Sequence, residues 1–360
     1  MARPARAHID LQALRENYQW ARQLNAGCKA LAVVKADAYG HGAARVALAL
    51  ADQADGFAVA CIEEALALRA SGVKNPILLL EGVFDPTELA LVSAHELWVV
   101  VHCQRQVDWI LSARMAQPLK VWLKMDSGMH RLGFAPQDYR AAYAALAQSP
   151  QVGEIVLMSH FARADETDGL FSQQQRAHFE NLCVDLPGAR SMANSAGLMA
   201  WSPRAGEWVR PGLALYGISP LSGSRAFAAP LKPAMTLVSE LIAVREVPAG
   251  EAIGYGTHYT TQGVTRIGVV AMGYADGYPR AAANGTPVAV AGQRTQLVGR
   301  VSMDMLTVDL TQLPHAVAGD PVELWGSQIG VEEVARFSQT IPYELLTRVT
   351  GRVERHYRNP

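Results

Sequence analysis

The sequence is poor in cysteine: Cys28, Cys61, Cys103 and Cys183 are the only four in 360 residues, and no two form a CxxC pair. That spacing argues against a disulfide framework or a cysteine zinc site and fits a reducing compartment. No metal site is expected. An excess of charge is also missing, since 32 Lys+Arg stand against 33 Asp+Glu for a formal net charge of -1. Neither a nucleic acid nor a membrane surface finds the positive field it relies on. Long apolar runs are absent, Ile77–Leu80 and Leu97–Val101 being short beside the ~18 residues of a spanning helix. Met1–Asp10 carries Arg3 and Arg6 but no apolar secretory segment. A cytoplasmic protein without membrane or nucleic-acid partners is expected. Lysine is scarce, at positions 29, 35, 74, 120, 124 and 232. There is no internal repeat, no low-complexity segment, and no GxGxxG after the first predicted strand.

What is present is apolar surface: half of the residues are hydrophobic and 18% are charged, enough for a large core. The length suggests about two domains. From residue 10 to about 215, short apolar runs alternate with helical patterns. Asp10 caps a helix whose apolar face runs Leu11, Leu14, Tyr18, Ala21. Strands are predicted at Ala30–Val34, Phe57–Ala60, Ile77–Leu80, Leu97–Val101, Leu119–Leu123, Ile155–Met158, Arg190–Ala193 and Trp208–Val209. Helical patterns lie between most of them, including Ala43–Leu50, Ile62–Ala70, Val107–Met115 and Gln173–Cys183. Continuous apolar strands alternating with helices mean parallel strands covered by helices, and eight of them suggest a (β/α)8 barrel. A doubly wound sheet is the alternative. After about Pro230 the pattern turns to β runs broken by Pro-Ala-Gly, Ala-Asp-Gly and Asn-Gly turns, with a strand predicted at Gln296–Val298 among them. The expected division is a barrel over 8–225 and a β-rich domain over 226–360, joined by a linker at Ser219–Pro230, with residues 1–7 packing on the second domain.

Barrel enzymes carry their chemistry at the carboxyl ends of the strands. There the sequence places Lys35 and Tyr39 after the first strand, Lys124 and Arg131 after the fifth, and His160 after the sixth. Asn194 and Ser195 follow the seventh, and Arg210 and Gly212 the eighth. A lysine ending a buried strand should have its pKa lowered by desolvation, and a neutral amine is what imine formation with an aldehyde requires.

Lys35 sits in Leu-Ala-Val-Val-Lys-Ala-Asp-Ala-Tyr-Gly-His-Gly, a string that resembles the cofactor-attachment motif of alanine racemases, the fold-type III pyridoxal-phosphate enzymes. Further matches follow in order. They are Lys-Met-Asp-Ser-Gly-Met-His-Arg-Leu-Gly-Phe at 124–134, Ser-His-Phe-Ala at 159–162, Ala-Asn-Ser-Ala at 193–196 and Arg-Pro-Gly at 210–212. Gly-Tyr-Gly at 254–256, Gly-Tyr-Ala-Asp-Gly-Tyr at 273–278, Ser-Met-Asp at 302–304 and Pro-Tyr-Glu at 342–344 complete the series. Singly these strings are weak; in this order along nearly the whole chain they are specific.

The resemblance implies a head-to-tail homodimer that interconverts L- and D-alanine with two bases. Lys35 would hold pyridoxal phosphate and act on one face, and Tyr255 from the partner subunit would act on the other. His160 and Arg210 would couple the tyrosine to the pyridine ring. Arginine donates and does not accept a proton, so the ring nitrogen would stay unprotonated. That favours racemisation over the decarboxylases of the same fold, whose motif places an acid there. Tyr39, Asn194, Ser195, Gly212, Leu213 and Tyr343 match the cofactor cradle, and Arg131 and Met303 match groups that hold the substrate carboxylate. Tyr274 matches a residue narrowing the entrance, which suits alanine first and serine second. Lys124 matches a lysine often carbamylated in the family; a lysine paired with Asp126 is the plain alternative. Rival readings are a fold-type III decarboxylase, a pyridoxal-phosphate carrier without turnover, and a cofactor-free Schiff-base aldolase barrel.

Overall fold

A computed structural model describes residues 3–24, 26–166, 169–221 and 230–359. The chain divides into two units: Met1–Ala13, Tyr39–Gly42 and Lys232–Pro360 form one, and Leu14–Ala38 with Ala43–Leu231 the other. Most of the expected linker, residues 222–229, lies outside the described residues.

The chain opens with strand β1 (Arg6–Asp10), which belongs to the β-rich unit. The barrel strands follow as β2 (Lys29–Val33), β3 (Gly56–Val59), β4 (Ile77–Leu79), β5 (Leu97–Val101), β6 (Leu119–Lys124), β7 (Val152–Met158), β8 (Arg190–Ser191) and β9 (Trp208–Val209). They pair in parallel in the order β8-β7-β6-β5-β4-β3-β2-β9. Between the two outermost strands, Ser191 Oγ donates to the Trp208 carbonyl at 2.8 Å and the Arg210 N–H to the Ala193 carbonyl at 2.9 Å. The runs Ala30–Val34, Ile77–Leu79 and Val99–Val101 are fully enclosed, as strands with the barrel interior on one side and helices on the other must be. The architecture is the expected (β/α)8 barrel followed by a mostly β domain.

Helix Leu11–Leu24 begins where Asp10 was expected to cap it, with the Ala13 N–H donating to Asp10 Oδ1 at 3.0 Å. Helices Ala43–Leu50 and Ile62–Ala70 match the sequence pattern, whereas the helix expected at Val107–Met115 runs Gln104–Ser112. Its true start is set by Cys103, an extended residue whose side chain gives no cap and so no sequence signal.

One end of the barrel is closed by indoles. Trp98, Trp122 and Trp208 lie with ring centroids 5.4–6.2 Å apart. The Lys120 ammonium sits 4.1 Å from the Trp98 ring, and that of Lys29 5.3 Å from Trp208. Lys120 is also paired with Glu154 at 2.8 Å.

The β-rich unit continues with β10 (Met235–Val247), β11 (Thr265–Val270), β12 (Pro287–Val290), β13 (Gln293–Gln296), β14 (Leu306–Asp309), β15 (Pro321–Trp325) and β16 (Glu354–Arg358). Its sheet runs β13-β12-β15-β10-β1-β16, with β11 on β10 and β14 on β11. β1 lies antiparallel to β10 and parallel to β16, so the two chain ends are neighbours in one sheet. The strand expected at Gln296–Val298 is displaced toward the N-terminus and runs Gln293–Gln296. A two-residue hairpin through Ala291 and Gly292, both at positive φ, brings the polar segment Gln-Arg-Thr-Gln against β12.

Buried hydrogen bonds tie the first helix to the barrel. Tyr18 is fully enclosed; its hydroxyl donates to the Ala30 carbonyl at 2.8 Å and accepts from the Asp55 N–H at 3.2 Å. Tyr18→Phe is expected to cost about 1–2 kcal/mol, because both backbone groups lose their partner inside the core. Urea unfolding of the variant measures this.

Candidate active site

The expected barrel residues converge on one arc of strand ends, β6-β7-β8-β9-β2. Lys124 is the last residue of β6, His160 follows β7, Ser195 follows β8, Arg210 follows β9, and Lys35 follows β2. Arg210 is the most firmly held. It is 3% exposed, its Nη1 donates to Ser191 Oγ, and its Nη2 reaches the carbonyls of Ser159 at 2.8 Å and Met192 at 3.2 Å. The same Nη2 lies 3.1 Å from His160 Nδ1. Burial lowers the Arg210 pKa to about 9, which still leaves it a cation at neutral pH. Among the described residues its Nε makes no hydrogen bond, so one donor of a fixed guanidinium remains available.

Since a guanidinium only donates, His160 Nδ1 must accept and its ring proton must sit on Nε2. Burial is the main cause that holds the His160 pKa well below its ordinary value, and the charges of Arg210, Lys124, Arg131 and Lys35 act in the same direction. The imidazole is neutral and presents an N–H.

Lys124 is 6% exposed, and its pKa falls to about 8. Desolvation is the largest cause; Arg210, Arg131 and Lys35 also push down, and Asp126 opposes them. The alternative pairing with Asp126 does not form among the described residues. Asp126 instead accepts the N–H groups of Gly128 and His130 at 3.0 Å and contacts His130 Nδ1 at 3.2 Å. The loop it braces is closed by Asp126 N–H to the Phe134 carbonyl and Phe134 N–H to the Lys124 carbonyl, each 2.9 Å. Gly133 is required there, since a Cβ would stand 2.5 Å from the Asp126 nitrogen. Arg131 rides on this loop, exposed and without a polar partner among the described residues.

Lys35 is half-buried, whereas Lys124 is enclosed. The backbone after it enters a left-handed turn, with φ of 52°, 53° and 54° at Ala36, Asp37 and Ala38 and 50° at Tyr39. Such a conformation costs roughly 1–2 kcal/mol per L-residue and persists only where the surroundings impose it. The restraints are the Ala38 N–H to the Val34 carbonyl at 2.9 Å, the Ala43 N–H to Asp37 Oδ1 at 2.8 Å, and the Ala36 N–H to Glu64 Oε1 at 2.6 Å.

Ser195 Oγ accepts from the N–H groups of Gly212 at 2.8 Å and Ala214 at 3.2 Å, so its own proton is free to be donated. Leu213 is buried beside it. Asn194 plays a structural part, its Oδ1 accepting the Gly197 N–H at 2.9 Å and capping helix Ser195–Ala200.

The remaining expected residues lie in the β-rich unit. Tyr39 and Tyr343 face each other with ring centroids 5.6 Å apart, and burial raises the Tyr39 pKa. Tyr274 and Met303 are neighbours: the Tyr274 N–H donates to the Ser302 carbonyl, the Ala275 N–H to that of Met303, both at 3.0 Å. Both side chains are exposed. Tyr255 opens a short turn after Gly254 and is 72% exposed, unusually open for a large aromatic.

Sequence reasoning missed Ser159 and Ser191, which fix Arg210, and His102 after β5. The His102 ring contacts the Glu81 carbonyl at 3.1 Å; burial is the main cause lowering its pKa, and Lys124 adds to it. Ser159 stood only as the first residue of the Ser-His-Phe-Ala string, and Ser191 and His102 carry no spacing signal that could have shown them.

An eight-stranded parallel barrel sheet whose strand ends carry Lys35, Lys124 and Arg210, in a chain with a second, β-rich unit, is the architecture of a barrel enzyme. Residues 9–220 match the alanine racemase N-terminal domain model and residues 234–357 the alanine racemase C-terminal domain model. The chain belongs to the alanine racemase family. It is 58% identical over 355 residues to the catabolic alanine racemase of Pseudomonas putida, covering 99% of each chain. It is also similar to the crystal structure of biosynthetic alanine racemase from Pseudomonas aeruginosa, with TM-score 0.96, 50% identity and coverage of 99% and 100%. The alanine racemase of Bartonella henselae, described with covalently bound pyridoxal phosphate, gives TM-score 0.88 and 32% identity over 99% of each chain. Among the described residues no helix is long and apolar enough to cross a membrane.

A neutral buried histidine takes up a proton more readily once the chain unfolds. Stability should therefore fall as the pH drops below the ordinary histidine value of 6.5, by up to about 1.4 kcal/mol per pH unit from this group. Melting temperatures of wild type and His160→Gln between about pH 7 and pH 5 test this; the variant should show the shallower slope.

Proposed function

We propose that the protein racemises alanine with pyridoxal phosphate, using Lys35 on one face of the substrate and Tyr255 of a second copy of the chain on the other. The observation that carries this reading is the cation cluster of Lys35, Lys124, Arg131 and Arg210 around a neutral His160, which calls for an anionic occupant. The cofactor fits the residues present. Ser195 has a free hydroxyl proton, and the backbone beside it at Gly212 and Leu213 offers small, buried surroundings for a phosphate. Arg210 would offer its Nε to the pyridine nitrogen, and by the family motif Tyr39 and Tyr343, whose rings are neighbours, would contribute their hydroxyls. When bound, pyridoxal phosphate supplies an aldehyde for an amine and a conjugated ring that delocalises the electron pair left by the α-proton.

Lys35 would be the amine that holds the cofactor, and as a free amine it would exchange the α-proton on its own side. Tyr255 exchanges the proton on the opposite side. A phenol needs help to ionise, and the Nε2–H of His160 is the donor that would steady its oxygen as the proton leaves. Arg210 fixes that imidazole and, as a donor only, would leave the pyridine nitrogen of the bound cofactor unprotonated, which would disfavour side reactions. Arg131 and the Met303 backbone hold the substrate carboxylate, and Tyr274 limits the side chain to a small one. The exposure of Tyr255 suits a residue completed by a head-to-tail homodimer.

Lys124 has a further role in this reading. An amine with a pKa of about 8 is partly neutral at physiological pH and adds to carbon dioxide, losing a proton to give a carbamate. The resulting anion would hold the Arg131 guanidinium by charge-assisted hydrogen bonds. Because racemisation runs both ways, the same site serves D-alanine supply for peptidoglycan and alanine breakdown in the cytoplasm.

The direct test incubates pure protein with L-alanine and follows D-alanine by chiral chromatography, with and without added pyridoxal phosphate. D-alanine should accumulate to about an equal mixture. Lys35→Ala should abolish conversion in both directions, and no conversion by wild type would reject the reading. Tyr255→Phe should lower turnover by at least about a hundredfold. In deuterium oxide it should still exchange the α-proton of one enantiomer through Lys35, and near-normal turnover in both directions would remove Tyr255 as a base.

A further inference from the structure

We infer that Glu64 is a positioning residue for Lys35, an inference that rests on the reading of Lys35 as the cofactor-bearing amine. Glu64 lies in the first turn of helix Ile62–Ala70, where a carboxylate ordinarily serves only its own helix. Here its two oxygens are divided. Oε2 accepts the Ala60 N–H at 2.7 Å, at the end of the barrel strand that leads into that helix. Oε1 accepts the Ala36 N–H at 2.6 Å, from the residue directly after Lys35. One carboxylate therefore clamps the start of the left-handed turn to the neighbouring strand-to-helix connection.

The clamp has a physical purpose. Ala36, Asp37 and Ala38 all hold a φ near 53°, where L-residues are strained, and none of them is glycine. A relaxed turn would swing the Lys35 backbone and carry its ammonium away from Lys124, Arg210 and His160. The Ala36 N–H is the first donor of the strained segment, and a charge-assisted bond is the strongest restraint available to it. Glu63 next to it is exposed and turned toward Cys61, so the neighbouring acid does not contribute to the clamp.

This separates Glu64 from an ordinary helix cap, because a cap acts on helix Ile62–Ala70 and is indifferent to strain at position 36. Glycine adopts positive φ without penalty, so Ala36→Gly should relieve what Glu64 otherwise restrains. The experiment compares holoenzymes of wild type, Glu64→Ala, Glu64→Gln, Glu63→Gln and the double variant Glu64→Ala/Ala36→Gly. Three readouts apply: pyridoxal phosphate affinity, the share of protein carrying the cofactor on Lys35 after borohydride reduction and peptide mapping, and kcat against KM for alanine.

Glu64→Ala is expected to weaken cofactor affinity and lower kcat in both directions by about tenfold, with KM changed less than about threefold. Glu64→Gln keeps the length but one acceptor and should fall between, and it carries the comparison if Glu64→Ala does not fold. Glu63→Gln should match wild type. Adding Ala36→Gly to Glu64→Ala should recover at least about threefold of the loss. Equal losses with and without the glycine, or unchanged cofactor affinity in both Glu64 variants, would overturn the inference. Wild type unlabelled at Lys35 would instead overturn the functional reading beneath it, so the two failures are distinguishable.

Discussion

Arg210 can only give hydrogen bonds, and the chemistry at the barrel mouth is organised around that one-sidedness. Its two terminal nitrogens are taken by Ser191 Oγ, two carbonyls and His160 Nδ1. A buried guanidinium in this position costs desolvation, which its bonds to oxygen offset. What it obtains is control of a proton: the imidazole must accept at Nδ1, stay neutral and show an N–H on its other side. The same charge helps lower the pKa of Lys124. A cluster of this kind is strained by its own repulsion until an anion enters, so the phosphate and carboxylate of the proposed ligands stabilise the site that binds them.

The barrel uses its few lysines in two contrasting ways. At the end closed by indoles, the charges of Lys29 and Lys120 rest on ring faces, and Lys120 has Glu154 as a counter-ion. Those cations are compensated and serve packing. At the strand end that carries Lys124, the charges of Arg210, Arg131 and Lys35 act on its amine, and Asp126, which opposes them, is committed to bracing a loop. The proposed chemistry falls at the second of these ends. The left-handed turn after Lys35 fits the same pattern, since backbone strain and unpaired charge concentrate where function needs them and the surrounding scaffold sustains both.

Much of this was legible in the sequence because parallel barrel strands are enclosed on both faces and read as unbroken apolar runs. Leu97–Val101 and Trp208–Val209 fall where the pattern puts them. Two of the strands that escaped, Gln293–Gln296 and Glu354–Arg358, are polar; they stand at the ends of the strand order of the β-rich unit, and their side chains carry no apolar alternation to detect. The site residues were legible through ordered short strings rather than periodicity, and the barrel half of them does gather on one arc. Hidden were the supports: Ser159 and Ser191 under Arg210, Glu64 beside Ala36, and a left-handed turn written in Ala-Asp-Ala-Tyr, residues that ordinarily avoid it. Asn194, expected from its motif, also caps helix Ser195–Ala200 with its side chain.

The most direct measurement of the central claim is the protonation state of His160. Nitrogen-15 NMR of histidine-labelled protein, with the signal assigned through His160→Gln, reports which ring nitrogen carries hydrogen. The arrangement around Arg210 predicts a neutral ring protonated at Nε2 and bare at Nδ1, unchanged from about pH 8 down to pH 6. A ring protonated at Nδ1, or a doubly protonated imidazolium in that range, would contradict it.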